Sequence, residues 1–157
     1  MDDQVDWCTD TNPKGANKCT PIKNQGQCGG CWAFSATETV ESGIAIDHDA
    51  IPVEYSPQQL ISCSSAYGNG GCNGGWYYYA WNYMMTNAQE TEANYPYSNG
   101  SMYYGITGTC TANASLGVVN TASPVDYSAV GTTVEDIKSA LNGRPLSIAI
   151  DASSSVF

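Results

Sequence analysis

The sequence predicts an α+β protein, with several helices and a strand near its end. Three observations carry this. The run from Trp32 to Ile46 repeats Ala33, Ala36, Val40 and Ile44 at helical spacing without an intervening proline. Two stretches, Ser56 to Gln59 and Thr132 to Asp136, read as capping boxes that open helices. Leu146 to Ile150 is β-branched enough for a buried strand. At 157 residues the chain has room for one domain or two small ones. Its 42% hydrophobic and 11% aromatic content supports a packed core, and its 13% charged content argues against disorder.

In chain order, Met1-Asp2-Asp3-Gln4 is acidic and polar and does not read as a signal peptide. Any targeting or pro-segment is therefore expected to lie outside this sequence. A Pro/Gly/Asn-rich segment, Thr11 to Asn17, follows between Cys8 and Cys19. Next comes Gln25-Gly26-Gln27-Cys28-Gly29-Gly30-Cys31-Trp32, which places a glycine-flanked cysteine at the start of the first helix. Unpaired N–H groups and the helix dipole favour an anion there, so a Cys31 thiolate is stabilised, and the thiolate is the form that attacks carbonyls. Gly29 and Gly30 let a substrate main chain approach the sulfur. Gln25, six positions earlier, carries an uncharged amide with two donors. With the Cys31 N–H it can hold the oxyanion of a tetrahedral intermediate, a role whose loss typically costs ~10²–10³ in rate.

Further on, Pro57 sits at the first position of a short helix reaching about Ser62, and Ser64 to Gly75 reads as a glycine-rich loop. Gly74 and Gly75 suit either a plain turn or a place where a peptide lies against the backbone. Trp76, Tyr79, Ala80 and Tyr83 then fall on one helical face, most of it expected in the core. Gln89 to Asp126 reads as loops, and Val125-Asp126-Tyr127 as the start of a strand. In the last helix Val134, Ile137 and Leu141 share a face, ended by Gly143 and Pro145.

Several function classes are excluded or disfavoured by composition. Five Lys and Arg residues against fifteen Asp and Glu, for a net charge of −10, supply no basic footprint for nucleic acid. No run of about 18 apolar residues predicts a membrane span. Seven cysteines leave at least one over if the rest pair within the chain. Cys28-Gly29-Gly30-Cys31 is formally a C-x-x-C, but no βαβ pattern surrounds it. Cys8, Cys19, Cys28 and Cys31 lack the spacing of a zinc site, so no metal and no cofactor is predicted.

The segment Gln25 to Ser35 resembles the nucleophile segment of the papain family of cysteine proteases, in its cathepsin L-like branch, with Gly30 where the family's C-G-[SA]-C-[WY] signature has Ser or Ala. The resemblance extends through Val5-Asp6-Trp7, Tyr55-Ser56-Pro57-Gln58-Gln59-Leu60 with Cys63, Gly71-Cys72-Asn73-Gly74-Gly75, Tyr95-Pro96-Tyr97 and Pro145-Leu146-Ser147-Ile148-Ala149-Ile150. It implies a two-domain fold: a mainly helical domain over residues 1–124 and the start of a β-barrel-like second domain over 125–157. It also implies disulfides Cys28–Cys72 and Cys63–Cys110, leaving Cys8–Cys19 as the third pair and Cys31 free. By the same analogy Cys31 and Gln25 are catalytic, and Gly29, Gly30, Gly74, Gly75, Trp76, Tyr77 and Ala149 line the substrate cleft. Large Tyr77 and small Ala149 suggest a hydrophobic or aromatic preference there.

A protease of this type needs a histidine base and an orienting asparagine, expected ~130–150 residues beyond the cysteine. The sequence runs only 126 residues past Cys31 to Phe157. Its sole histidine, His48, would lie about 22 Å away at the far end of the first helix, exposed to solvent. The chain is thus expected to be a fragment, or one chain of a cleaved enzyme, whose missing segment or second chain brings His and Asn. A non-catalytic binding or structural protein on the same scaffold is the alternative. Expected partners are peptide or protein substrates, a propeptide and cystatin-like inhibitors. The disulfides and two Asn-x-Ser sequons, at Asn99 and Asn113, favour a lysosomal, vacuolar or secreted location.

Overall fold

Helix α1 (Cys31–Asp47) is the rod on which the other elements rest. A computed structural model describes residues 4–118 and 126–151. Small residues at Ala33, Ala36 and Ala45 let neighbours approach α1 closely, while Trp32, Phe34 and Ile46 fill the gaps between them, and all six are buried. The helix is covered by α3 (Tyr77–Met84) and α2 (Pro57–Cys63). Trp32, Phe34, Leu60, Ile61, Tyr83 and Met84 form one continuous apolar cluster between them. Beyond His48 the chain turns through Asp49, whose positive φ of 48° lets the Ala50 N–H return to the Ala45 carbonyl. The buried Lys18 secures this turn, donating to Asp49 Oδ1 at 2.9 Å and to the Ala50 carbonyl at 3.2 Å.

At α2, the Ser56 hydroxyl accepts from the Gln59 N–H at 3.0 Å, and Pro57 occupies the first helical position, as read from the sequence. The reciprocal half of the expected box is not made. Gln59 is buried, and its amide instead donates to Tyr83 Oη and the Ala88 carbonyl and accepts from the Glu90 N–H. A buried primary amide must satisfy all its polar atoms, and here those partners lie on α3 and the following loop. The aromatic stripe is only partly core. Ala80 and Tyr83 are buried, but Trp76 precedes α3 as its N-cap residue and is 47% exposed.

Helix α4 (Asn99–Tyr104) is capped by Ser98, and α5 (Val134–Leu141) carries the full reciprocal box between Thr133 and Asp136. The apolar face of α5 (Val134, Ile137, Leu141) is exposed. The segment holding α5 is joined to the helical core at several points. Trp7 Nε1 donates to the Leu141 carbonyl, Arg144 pairs with Asp47, and Ser147 Oγ donates to the Ser35 carbonyl. Tyr127 packs on Trp81 and donates to Asn82.

Among the described residues there is no strand, only an isolated antiparallel bridge between Tyr55 and Thr91. Leu146–Ile150, expected as a buried strand, has no ladder partner among them, and Ile148 and Ile150 are 69% and 60% exposed. β-Branched composition favours a strand only where a neighbour takes its backbone hydrogen bonds. Of Val125-Asp126-Tyr127, read as the start of a strand, Asp126 and Tyr127 lie in no strand, and Val125 and the domain boundary at 124/125 fall outside the described residues.

Candidate active site

Seven cysteines resolve into three bridges, Cys8–Cys19, Cys28–Cys72 and Cys63–Cys110, and one free thiol, Cys31. The sulfur of Cys28 is thus bonded to Cys72 and not to Cys31, which removes the redox C-x-x-C reading. With Cys8, Cys19 and Cys28 all bridged, the zinc reading loses its ligands as well. Cys31 is exposed at the first position of α1. Gly30 is the N-cap residue and brings no side chain to the helix end; its carbonyl takes the Ala33 N–H at 2.8 Å, and no side-chain oxygen caps the first turn.

Two loops meet beside the sulfur. One carries Gln25 to Gly30, the other Asn69 to Trp76, and the Cys28–Cys72 bridge clamps them together. The Gly29 N–H donates to the Cys72 carbonyl at 2.9 Å, and a Cβ on Gly29 would lie 2.6 Å from that oxygen. On the second loop, a Cβ on Gly75 would meet Asn69 Oδ1 at 2.4 Å and the Trp32 ring at 2.9 Å. Both positions need glycine because protein atoms already crowd them, a reason that no local pattern in the sequence contains. Gly74 differs: its φ is +107° and a Cβ there would meet nothing within 4 Å, so it is the backbone conformation that selects glycine. The buried Asn69 holds this loop in shape, accepting from the Trp76 N–H at 2.8 Å and donating to Ser64 Oγ at 3.0 Å.

Gln25 is half-buried, and its Nε2 donates to the Cys28 carbonyl at 3.1 Å. That bond uses one of two amide hydrogens. The backbone carbonyl of Gln25 accepts from Tyr97 Oη at 2.7 Å. Trp76 stands exposed at the start of α3, stacked on Tyr78 with centroids 5.8 Å apart and edge-on to Tyr77 at 6.5 Å. Gln25, Gly29, Gly30, Cys31, Gly74, Gly75 and Trp76 therefore belong to two bridged loops and the helix start between them. Ala149 is carried on a different segment, exposed, two residues beyond the contact of Ser147 with α1. His48 caps the opposite end of α1 and is exposed. Neither of two surface concavities, one of about 410 Å3 around Glu90 and Tyr95 and one of about 600 Å3 beside Lys18 and Asp49, includes these residues.

Two supporting residues carry no sequence signal for their roles. Asn69 sits in a glycine-rich loop where nothing marks it as buried. Tyr97 stands out only within the tripeptide Tyr95-Pro96-Tyr97, and its partner Gln25 lies 72 positions away.

Glu92, which holds the Tyr97 N–H, is an unusual carboxyl. Burial pushes its titration above the ordinary carboxylate range, outweighing the hydrogen bond that its Oε1 accepts from the Tyr97 N–H at 2.7 Å. Its Oε2 is buried with no hydrogen-bond partner among the described residues. A carboxyl that holds its proton more tightly when folded binds more protons in the native state, so its stabilising contribution is present below its unfolded value, about pH 4.3, and is lost as pH rises through the raised native value. Glu92→Gln removes that titration while keeping an oxygen for Tyr97. Thermal unfolding of the two proteins between about pH 4 and about pH 7 checks it. The variant's Tm relative to wild type should rise with pH; a constant difference would show that Glu92 does not titrate differently in the two states.

This chain belongs to the papain family of cysteine proteases: the family's sequence profile matches residues 1–157. It is 40% identical over 152 residues to digestive cysteine proteinase 3 of Homarus americanus, covering 95% of this chain and 42% of that protein. It is 36% identical over 155 residues to a cathepsin L-like proteinase of Fasciola hepatica, covering 97% of this chain and 42% of the relative. Among solved structures, the digestive procathepsin L 3 of Tenebrio molitor larval midgut superposes with a TM-score of 0.58 at 36% identity, over 65% of this chain and 31% of that one. The fold is therefore papain-like, and the described residues are mainly helical, with no strand among them. The chain spans less than half the length of the curated relatives it matches.

Proposed function

We propose that the full-length protein is a papain-like cysteine endopeptidase, and that this chain supplies its nucleophile and one side of its cleft. The observation that carries the proposal is the single free, exposed thiol at the N-terminus of α1, in a chain whose other six cysteines are all bridged. The Cys31 thiolate attacks the peptide carbonyl carbon and forms a tetrahedral oxyanion. The second Nε2 hydrogen of Gln25 and the Cys31 N–H receive that charge. Collapse expels the amine with a proton and leaves an acyl-enzyme, which water hydrolyses. A histidine, oriented by an asparagine, moves these protons and comes from a part of the protein outside this sequence. That division agrees with the share of its relatives that the chain spans.

In this reading residues 1–124 are the helical domain and 125–157 begin the second one. Gly29, Gly30, Gly74, Gly75, Trp76 and Tyr77 border the bound peptide, and Ala149 closes the cleft from the second domain. The likeness to a procathepsin supports synthesis as a zymogen with a propeptide, and a secreted or lysosomal enzyme open to cystatin-like inhibitors. No described helix is long and apolar enough to cross a membrane. Asn99 and Asn113, both exposed, are the candidate glycosylation positions.

The test is covalent labelling. Full-length protein is treated with a peptidyl epoxide, digested and mapped by mass spectrometry. A single adduct on Cys31 is expected; an active protein with an unmodified Cys31 would defeat the proposal.

A further inference from the structure

Tyr97 touches both the loop that carries Gln25 and the helix that carries Cys31. Its hydroxyl donates to the Gln25 carbonyl at 2.7 Å. Its ring meets Phe34 edge-on, with centroids 5.0 Å apart and planes at 79°. Phe34 is buried on α1, three residues after Cys31, so it lies on the helix face next to the one that carries the sulfur. The backbone of Tyr97 is itself held, since its N–H donates to Glu92 Oε1 at 2.7 Å. One rigid side chain thus spans from the nucleophile's helix to the amide donor's loop.

The other anchors of that loop act on Gln25's neighbours. The Gln27 N–H donates to the Met102 carbonyl at 2.8 Å, and the Lys23 ammonium pairs with the buried Glu41 at 2.7 Å. Gln25 is held locally by its turn to Cys28, whose N–H reaches the Gln25 carbonyl at 3.3 Å and whose carbonyl takes the side-chain amide at 3.1 Å. Glu41 lies on α1, so the Lys23 pair also ties the loop to that helix, but two residues before Gln25. The Tyr97 bond reaches Gln25 itself, through an aromatic pair packed on α1. Losing it would let the Gln25 amide drift while its loop stays folded.

We propose that Tyr97 is a positioning residue: its hydroxyl, braced by Phe34, sets where the Gln25 amide stands relative to the Cys31 sulfur. This rests on the reading of Cys31 and Gln25 given above. Tyr97 touches neither substrate nor reacting atoms. Its contribution appears in the step that develops an oxyanion and is absent from thiol chemistry that forms none.

The experiment uses the full-length protein with wild-type sequence, Tyr97→Phe, Gln25→Ala and the double variant. It measures kcat and KM on a peptide amide, and separately the rate of Cys31 alkylation by iodoacetamide. Tyr97→Phe should lower kcat about 10-fold, less than the ~10²–10³ cost of losing a donor outright. KM and the alkylation rate should stay within about twofold, and the substitution should cost nothing further in the Gln25→Ala background. The proposal is overturned if kcat is unchanged, if alkylation slows in step with kcat, or if the loss is the same in both backgrounds. A fall in activity for Gln25→Ala with none for Tyr97→Phe rejects this proposal alone. Wild-type protein that cleaves peptides with Cys31 left unlabelled, or that does not cleave them, rejects the underlying reading with it.

Discussion

Cys31→Ala in the full-length protein should abolish peptide hydrolysis, by about 10⁴-fold or more, and leave the fold in place. In the proposed mechanism this sulfur forms the acyl intermediate, and among the described residues no other cysteine is free to replace it. Removing it creates no cavity, because the side chain is exposed at the helix start. Surface changes of this kind usually fall within about 0.5 kcal/mol of wild type, and alanine suits a helix better than cysteine. The two measurements are steady-state hydrolysis of a peptide substrate and thermal unfolding of both proteins. Lost activity with an unchanged Tm assigns the loss to chemistry. Residual hydrolysis near the wild-type rate would mean that the reaction uses another residue.

The second large effect separates two bridges that look alike along the chain. Cys28–Cys72 closes a separation of 44 residues and Cys63–Cys110 one of 47. By loop-closure entropy each should stabilise the protein by about 4 kcal/mol, with little to choose between them. Their positions differ in what they hold. Cys28–Cys72 clamps the Gln25 loop to the Asn69–Trp76 loop, beside the sulfur, and the Gly29–Cys72 backbone bond lies next to it. Cys63–Cys110 ties the end of α2 to the loop after α4. Alanine at both Cys28 and Cys72 should therefore cost stability and, in protein that remains folded, lower kcat by about 10²-fold through displaced donors and glycine backbone. Alanine at both Cys63 and Cys110 should cost similar stability with little change in kcat. Denaturant unfolding gives the first quantity, and kinetics well below the unfolding transition gives the second. Equal kinetic losses from the two pairs would show that the clamp has no special role at the site.

Much of this molecule is legible in its sequence because the signals are short-range. The extent of α1 follows from apolar spacing without proline, and the start of α2 from Ser56 and Pro57. The Thr133–Asp136 box is complete between neighbours in the chain and needs no tertiary help. Cysteine count and family resemblance together mark Cys31 as the one left over, and its place at a helix start follows from the same local pattern.

Other features depend on groups distant in the chain, and no local pattern contains them. Gln59 abandons its capping role because Tyr83, Ala88 and Glu90 come within reach of a buried amide that must be satisfied. Leu146–Ile150 makes no strand because no described neighbour pairs with it. The glycines at 29 and 75 answer to Cys72, Asn69 and Trp32, and Gln25 answers to Tyr97. Residue order thus marked the helix starts and the one cysteine left over, since caps and helical spacing act between near neighbours and parity needs only a count. Packing decided where each group stands, because close contact and buried hydrogen-bond satisfaction act only once distant segments meet.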